Sequence, residues 1–294
     1  MNRIKPASNV FFSLFALFIS VLTLFPLLFV LVISFSSEAS IALKGYSFFP
    51  TQFSLGAYRY LLDNIDYIGR AFLLSSGITL AGTCISLWLI GTMAFALSQQ
   101  RFCFCKAYTL LIIIPMFFSG GLVASYVVNT QVLGLKNNVL ALILPQACSS
   151  WYILVMRTYF KENLVGDLLD AAKIDGAGTF KSFVSLVIPL CKPIFTIIGL
   201  FEAFAYWNSW YYAMLYIRPE HKELYPLQYV LYALQKNAEL MATNDSITGA
   251  VITQIPAETF RMAVVVIITI PVIITYPLIR KHVAPGIMAG AIKY

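Results

Sequence analysis

Long apolar runs alternate along the chain with short polar breaks. Six runs are long enough to cross a bilayer core at about 1.5 Å per helical residue. They lie near 10–33, 71–97, 107–128, 138–157, 194–217 and 262–280. The third is interrupted by Pro115 and by Ser119-Gly120-Gly121, breaks that membrane helices tolerate where neighbours re-satisfy the backbone. Membrane barrels need strands of about ten strictly alternating residues, and runs such as VVVIITIPVIITY do not alternate. The pattern predicts an all-α polytopic membrane protein with six transmembrane helices, a single domain over 1–294. The first run follows Arg3 and Lys5, as the core of a signal peptide would. It continues through FVLVISFSS without a small-residue exit, so it reads as a retained helix.

Composition agrees with a chain solvated by lipid. Hydrophobic residues make up 60% and charged residues only 11%, too few polar groups to cover a soluble domain of this length. Mean hydropathy is +0.80. Charge then sets the orientation. With both termini cytoplasmic, the inner segments hold twelve of the twenty Lys/Arg residues against four acidic ones, while the outer segments hold eight of each. The net +7 therefore belongs to the cytoplasmic face and gives no reason to invoke nucleic acid, whose Lys/Arg-aromatic patches are absent from every loop. Cys84 and Cys148 fall in helices, and Cys103, Cys105 and Cys191 on the reducing side, which argues against a disulfide framework. With two histidines in all and no second ligand pair beside Cys103-Phe104-Cys105, no zinc site is expected.

Three segments outside the membrane are long enough to act. The external loop 34–70 contains SFFPTQFSLGAYRYLLDN, in which Phe53, Ala57, Tyr60 and Leu61 fit a short amphipathic surface helix. The external stretch 218–261 carries the helical pattern LYPLQYVLYALQKN and then the looser TNDSITG. It reads equally as a contact surface for an external protein and as a solvated connector. The cytoplasmic loop 158–193 predicts a short helix through LVGDLLDAAKI, a turn at Asp175-Gly176-Ala177-Gly178, and a second helix through TFKSFVSLVI. Thr179 is its candidate N-cap, and Pro189 and Pro193 mark its end. The small-residue face of this loop suits a groove on a partner.

The loop's residues carry a resemblance. Asp170-Ala171-Ala172, Gly176 and Leu186-x-Ile188-Pro189 are similar in spacing to the EAA loop of ABC import permeases, with Asp170, Leu186 and Ile188 as conservative departures. The segments FFSGGLVASY (117–126), YWNSWYYAMLYI (206–217), YPLQ (225–228), IPAETFRMA (255–263) and YPLIRKHVAPGIMAGAIKY (276–294) resemble the maltose-type second permease of oligosaccharide importers, in particular the lipoprotein/aldouronate-type group. The resemblance runs nearly the full length. It implies a type I importer fold in a bacterial cytoplasmic (inner) membrane. It also implies a homologous second permease, two ATP-binding ATPase subunits and an external solute-binding protein as partners. ATPase coupling would fall to Asp170, Ala171, Ala172, Asp175, Gly176, Leu186 and Pro189, and the part 284–294 of the cytoplasmic tail 281–294 would insert between the ATPases.

The chain has no GxxxxGK[ST] and so cannot cradle a nucleotide itself. No cofactor is expected on it, ATP and Mg being used by the partner subunits, and no enzymatic activity of its own. Glu202 is the one carboxylate within a predicted span, and such a residue normally faces the bundle interior or water. With Tyr206, Trp207, Asn208 and Trp210 it forms a candidate substrate path, since aromatic rings stack on sugar faces and amides bond hydroxyls. An interfacial aromatic belt with one structural glutamate is the other reading. Ser119, Gly120 and Gly121 suit close helix packing better than substrate contact. Other functional readings are an ABC importer of a non-sugar solute, or a stand-alone secondary transporter, which would have only Glu202 as a relay. A membrane enzyme lacks any cluster that pairs a nucleophile with a base or a metal.

Overall fold

The computed structural model describes residues 6–63, 65–99, 102–163, 166–244 and 258–274. The tail 281–294, the end of the sixth predicted run and most of TNDSITG lie outside them. Within the described residues the chain is helical, and it falls into two compact units: one of residues up to Tyr67 together with Ala233–Ile274, the other of Ile68–Tyr232.

In the first unit, helix α1 (Pro6–Ser34) exposes apolar side chains around its whole circumference until Ile33 and Ser34 become buried, as expected of a helix surrounded by lipid or by another subunit. The loop that follows α1 is ordered by backbone pairing. Ser37 N donates to Gln52 O at 3.0 Å and Ser54 N to Phe35 O at 2.8 Å, which holds Ser36 opposite Phe53. Phe53 is thus extended, and at 79% exposed it is not part of the amphipathic helix expected there. That helix, α3 (Gly56–Asp63), buries Ala57 and Leu61 as the pattern required. The short helix α2 (Glu38–Lys44) precedes it, unanticipated. Its Glu38 reaches the start of the helix 258–274: the carboxylate accepts Glu258 N and Thr259 N, each at 3.0 Å, and Thr259 Oγ1 at 2.8 Å. Tyr46 donates to Glu258 Oε2 at 2.7 Å, and Tyr60 meets Phe260 edge-on at 5.1 Å. The Glu258 carboxylate raises the Tyr46 hydroxyl above the usual tyrosine range.

The second unit is built on α4 (Ile65–Ser98). Among the described residues two helices satisfy length and apolarity for a span unaided, Val10–Ser34 and Ile65–Ser98. The third, fourth and fifth predicted spans are broken. The third is α5 (Cys105–Phe117), a break at Phe118–Gly120, and α6 (Gly121–Val127), at the interruption the glycines predicted. The fourth differs from the single helix expected over 138–157. It is α7 (Leu140–Gln146) and α8 (Ser150–Asn163), bent by 52°, because Pro145 has no N–H for the carbonyl of Ala141 and Ala147 N closes a tighter turn on Leu144 O. The fifth also departs from one helix over 194–217. α11 (Lys192–Trp207) stops at Asn208, whose φ −90°, ψ 2° leave the helical region, and α12 (Tyr211–Tyr216) resumes after it. The segment between these spans holds α9 (Gly166–Ile174) and α10 (Thr179–Leu190), which meets α11 at an 84° bend. α13 (Leu227–Asn244) supplies the helix predicted from LYPLQYVLYALQKN. Its first N–H, on Leu227, donates to Ser75 Oγ of α4 at 2.7 Å.

Replacing Glu38 by alanine strands two helix-terminal N–H groups and a nearly fully buried threonine hydroxyl. Glu38→Ala is expected to lower stability by about 1–3 kcal/mol, read by thermal unfolding of the detergent-solubilised protein, with Thr259→Val costing less because the backbone donors keep their acceptor.

Candidate coupling loop and translocation path

The helical repeat of GDLLDAAKI turns Leu169 and Ala172 inward and Leu168, Asp170, Ala171, Lys173 and Ile174 outward. Asp170 is exposed and pairs with Lys173 at 3.2 Å, a contact of little energetic weight in water. Ala171 and Asp175 are exposed as well. Gly176 takes φ +79°; Gly176 N bonds Lys173 O at 3.0 Å and Ala177 N bonds Ala172 O at 2.9 Å, the paired closure of a helix ended by a left-handed residue. A Cβ at Gly176 would meet nothing within 4 Å, so conformation, and not space, requires glycine within this chain. The cap of α10 is Gly178, at φ −65° and ψ 161° with no side-chain bond. Thr179, the expected cap, is the first helical residue. Pro189 is exposed and Leu186 half-buried; the helix passes Pro189 and breaks at Cys191, since a proline near a helix end withdraws little bonding.

The loop is seated firmly. Leu169, Phe183, Val187 and Cys191 share one buried cluster with Ile90, Ala94 and Phe95 of α4, Ile153, Met156 and Phe160 of α8, and Ile194 and Ile198 of α11. Trp88 lies edge-on to both Phe180 and Phe183, at 6.0 and 5.9 Å. Arg157 Nε donates to Leu97 O at 3.1 Å, satisfying a carbonyl at the end of α4. A push on the loop therefore reaches three helices through close-packed side chains. On the outer side of the loop, Ile174 is 87% and Phe180 67% exposed. These two apolar side chains beside Gly176 were not singled out from the sequence. The signal was present, because a repeat anchored on Leu169 and Ala172 turns Ile174 away from the buried face.

The path candidates divide by burial. Glu202 is 2% exposed and Tyr206 3% exposed. The Glu202 carboxyl lies beside the Ser86 hydroxyl. Tyr206 OH is 2.9 Å from Ser86 Oγ and donates to Ile143 O at 3.1 Å, so one phenol ties α11 to α4 and to the bend after α7. The ring lies on Gly82, where a Cβ would stand 2.6 Å from it. Trp207 is buried against Phe72 at 5.6 Å. Asn208 is exposed, Trp210 partly so, and both sit in the non-helical break. Gln228 Nε2 donates to Asn208 Oδ1 at 3.3 Å, and Trp210 stacks on Tyr232 at 4.4 Å; neither Gln228 nor Tyr232 was picked out from the sequence. Among the described residues no group of His, Cys, Asp and Glu could hold a metal ion.

An all-helical chain with broken spans and a helix–turn–helix loop wedged against three of its helices has the makings of a membrane permease moved by a partner. Comparison with known proteins narrows the class. No family model matches the chain. It is 34% identical over 279 residues to the polygalacturonan/rhamnogalacturonan transport system permease protein YtcP of Bacillus subtilis (strain 168), covering 95% of this chain and 96% of the relative. It is also 34% identical over 276 residues to Protein LplC of the same organism, covering 94% and 91%. A chain in the crystal structure of a bacterial ABC transporter involved in the import of the acidic polysaccharide alginate superposes with a TM-score of 0.78 at 26% identity, covering 96% and 99%. The chain belongs to the permease subunits of carbohydrate ABC importers and has their fold.

Gly82→Ala forces a carbon into the Tyr206 ring and is expected to cost about 1–3 kcal/mol through overpacking. Chemical denaturation in detergent checks it, with Gly77→Ala, where a Cβ meets nothing within 4 Å, as the neutral control.

Proposed function

We propose that this chain forms half of the translocation path for an oligosaccharide, uronate-containing ones included, in an ATP-driven importer. Six spans cross the bacterial cytoplasmic membrane with both termini inside: the two long helices, the three broken spans and the run 262–280. The segments 34–70 and 218–261 face outward and 158–193 inward. A homologous permease supplies the other half, two ATPase subunits bind ATP and Mg, and an external binding protein delivers the sugar. The names of its relatives support the cargo class: one is a polygalacturonan/rhamnogalacturonan permease and another structure serves alginate import.

The observation that carries the reading is the face around Gly176. A rigidly seated loop presents exposed Ile174 and Phe180 on either side of a left-handed glycine, a shape that fits a groove on an ATPase. Asp170, Ala171 and Asp175 border that face, and Leu186 and Pro189 belong to the helix that transmits its movement. Closure of the ATPases then rocks the spans between inward- and outward-facing arrangements as a rigid-body switch. Asn208 and Trp210 line the sugar's route, while the buried Glu202, Tyr206 and Trp207 hold that route's wall in shape. The tail 281–294 is read as a further ATPase contact.

Ile174→Glu places an unpaired charge in the docking face without touching the buried side of the loop. It is expected to leave the protein in the membrane at normal abundance while lowering both ATPase co-purification and sugar uptake by about tenfold or more, the factor that ~1.4 kcal/mol makes. Unchanged co-purification would remove the docking assignment. Gly176→Asn, which tolerates positive φ, should give the same phenotype with little loss of stability, because its bulk collides only with the partner.

A further inference from the structure

The break between α11 and α12 has an open side and a built one. Irregular backbone at membrane depth survives only where it is buried in protein or lines water. Tyr206 and Trp207 ahead of the break are buried, whereas Asn208 is exposed, so the break opens on its Asn208 side. Two contacts join it to α13: Gln228 Nε2 donates to Asn208 Oδ1 at 3.3 Å, and the Trp210 and Tyr232 rings stack at 4.4 Å with 20° between their planes. Gln228 and Tyr232 are four residues apart on one helix and so share a face. Tyr229 continues the aromatic surface at 6.2 Å from Tyr232. Asn208 Nδ2 donates to Phe204 O at 2.9 Å, which fixes the direction of its amide.

We infer that Asn208, Gln228, Trp210 and Tyr232 form a subsite for one pyranose ring, which reads the ring's hydroxyls and C–H face and not the carboxylate of an acidic sugar. The inference rests on the oligosaccharide reading above and adds to it the residues and the chemical feature recognised. Each amide carries two donor hydrogens and an acceptor oxygen with two lone pairs, so a pair joined through a single bond keeps capacity on both partners for adjacent hydroxyls. Flat rings beside the amides match the apolar face of a pyranose. The contacts that assemble the subsite are amide to amide and ring to ring, none of them ionic, which is a chemistry suited to hydroxyls. A site built to bond a hydroxyl discriminates strongly against its loss.

The test uses the complete transporter with its partner subunits and binding protein in proteoliposomes, and compares uptake of trigalacturonate with that of its carboxyl-reduced neutral counterpart. Asn208→Ala and Gln228→Ala are expected to raise the apparent KM for both sugars alike, by about tenfold each. Trp210→Ala should do the same while Trp210→Phe retains most of the uptake. Should an alanine variant fail to accumulate, Asn208→Ser and Gln228→Asn carry the same comparison. An unchanged KM in the amide variants overturns the subsite and leaves an interfacial aromatic belt. A rise confined to trigalacturonate overturns it in favour of carboxylate recognition. If the unaltered complex imports neither sugar but does import another solute, the oligosaccharide reading itself fails, an outcome separate from both.

Discussion

Inside a bilayer there is no water to bond a carbonyl or an amide that a helix leaves open, and this constraint organises the molecule. Each interruption of a span creates orphan backbone groups, and at one bend and several helix ends a side chain from a different element supplies a partner. Tyr206 of α11 donates to Ile143 O beside the bend after α7. Arg157 of α8 donates to Leu97 O at the end of α4. Ser75 of α4 accepts the first N–H of α13, and Glu38 of α2 accepts Glu258 N and Thr259 N of the helix 258–274. Secondary structure is completed by tertiary contact, so the helices cannot end correctly unless they are also correctly placed.

The same bonds bear on movement. A transporter must change shape without exposing unsatisfied backbone to lipid, which favours parts that move as bodies. The loop that holds α9 and α10 is such a part. Its inner face shares one close-packed cluster with α4, α8 and α11, and packed cores transmit strain instead of absorbing it. Its outer face carries Ile174 and Phe180, uncovered within this chain. Rigid inside and apolar outside is what a mechanical joint between subunits requires. The break at Asn208–Trp210 is the complementary case, where irregular backbone is used to present polar and aromatic side chains in place of continuing a helix.

Much of this was legible beforehand, for reasons that differ between elements. The apolar runs announced membrane helices because bilayer thickness imposes a length no soluble helix needs. The turn at Gly176 was legible because a left-handed residue leaves a compositional mark, and the Gly120-Gly121 break for a similar reason. The bend within 138–157 was not anticipated, although Pro145 marked it, since hydropathy counts residues without asking which carbonyl loses its donor. The interruption at Asn208 had no local marker at all: Asn208-Ser209-Trp210 can be helical, and the break is held by Gln228 and Tyr232, twenty and more residues downstream. Phe53 was placed in a helix by its periodicity, but pairing of residues 35–37 with 52–54 made it extended.

By itself the sequence determined what depends on short range: an all-helical membrane chain, the placement of its apolar runs, the glycine turn at Gly176 and the family its motifs belong to. Hydropathy, chain length and backbone strain at glycine act residue by residue and need no fold to be evaluated. Only the tertiary structure decided which candidates are wall and which are surface. Glu202, Tyr206 and Trp207 lie close in sequence to Asn208 and Trp210, yet the first three are buried and the last two open outward. That division follows from Gly82 admitting the Tyr206 ring and from α13 meeting the break, contacts between residues far apart in the chain that no local pattern encodes.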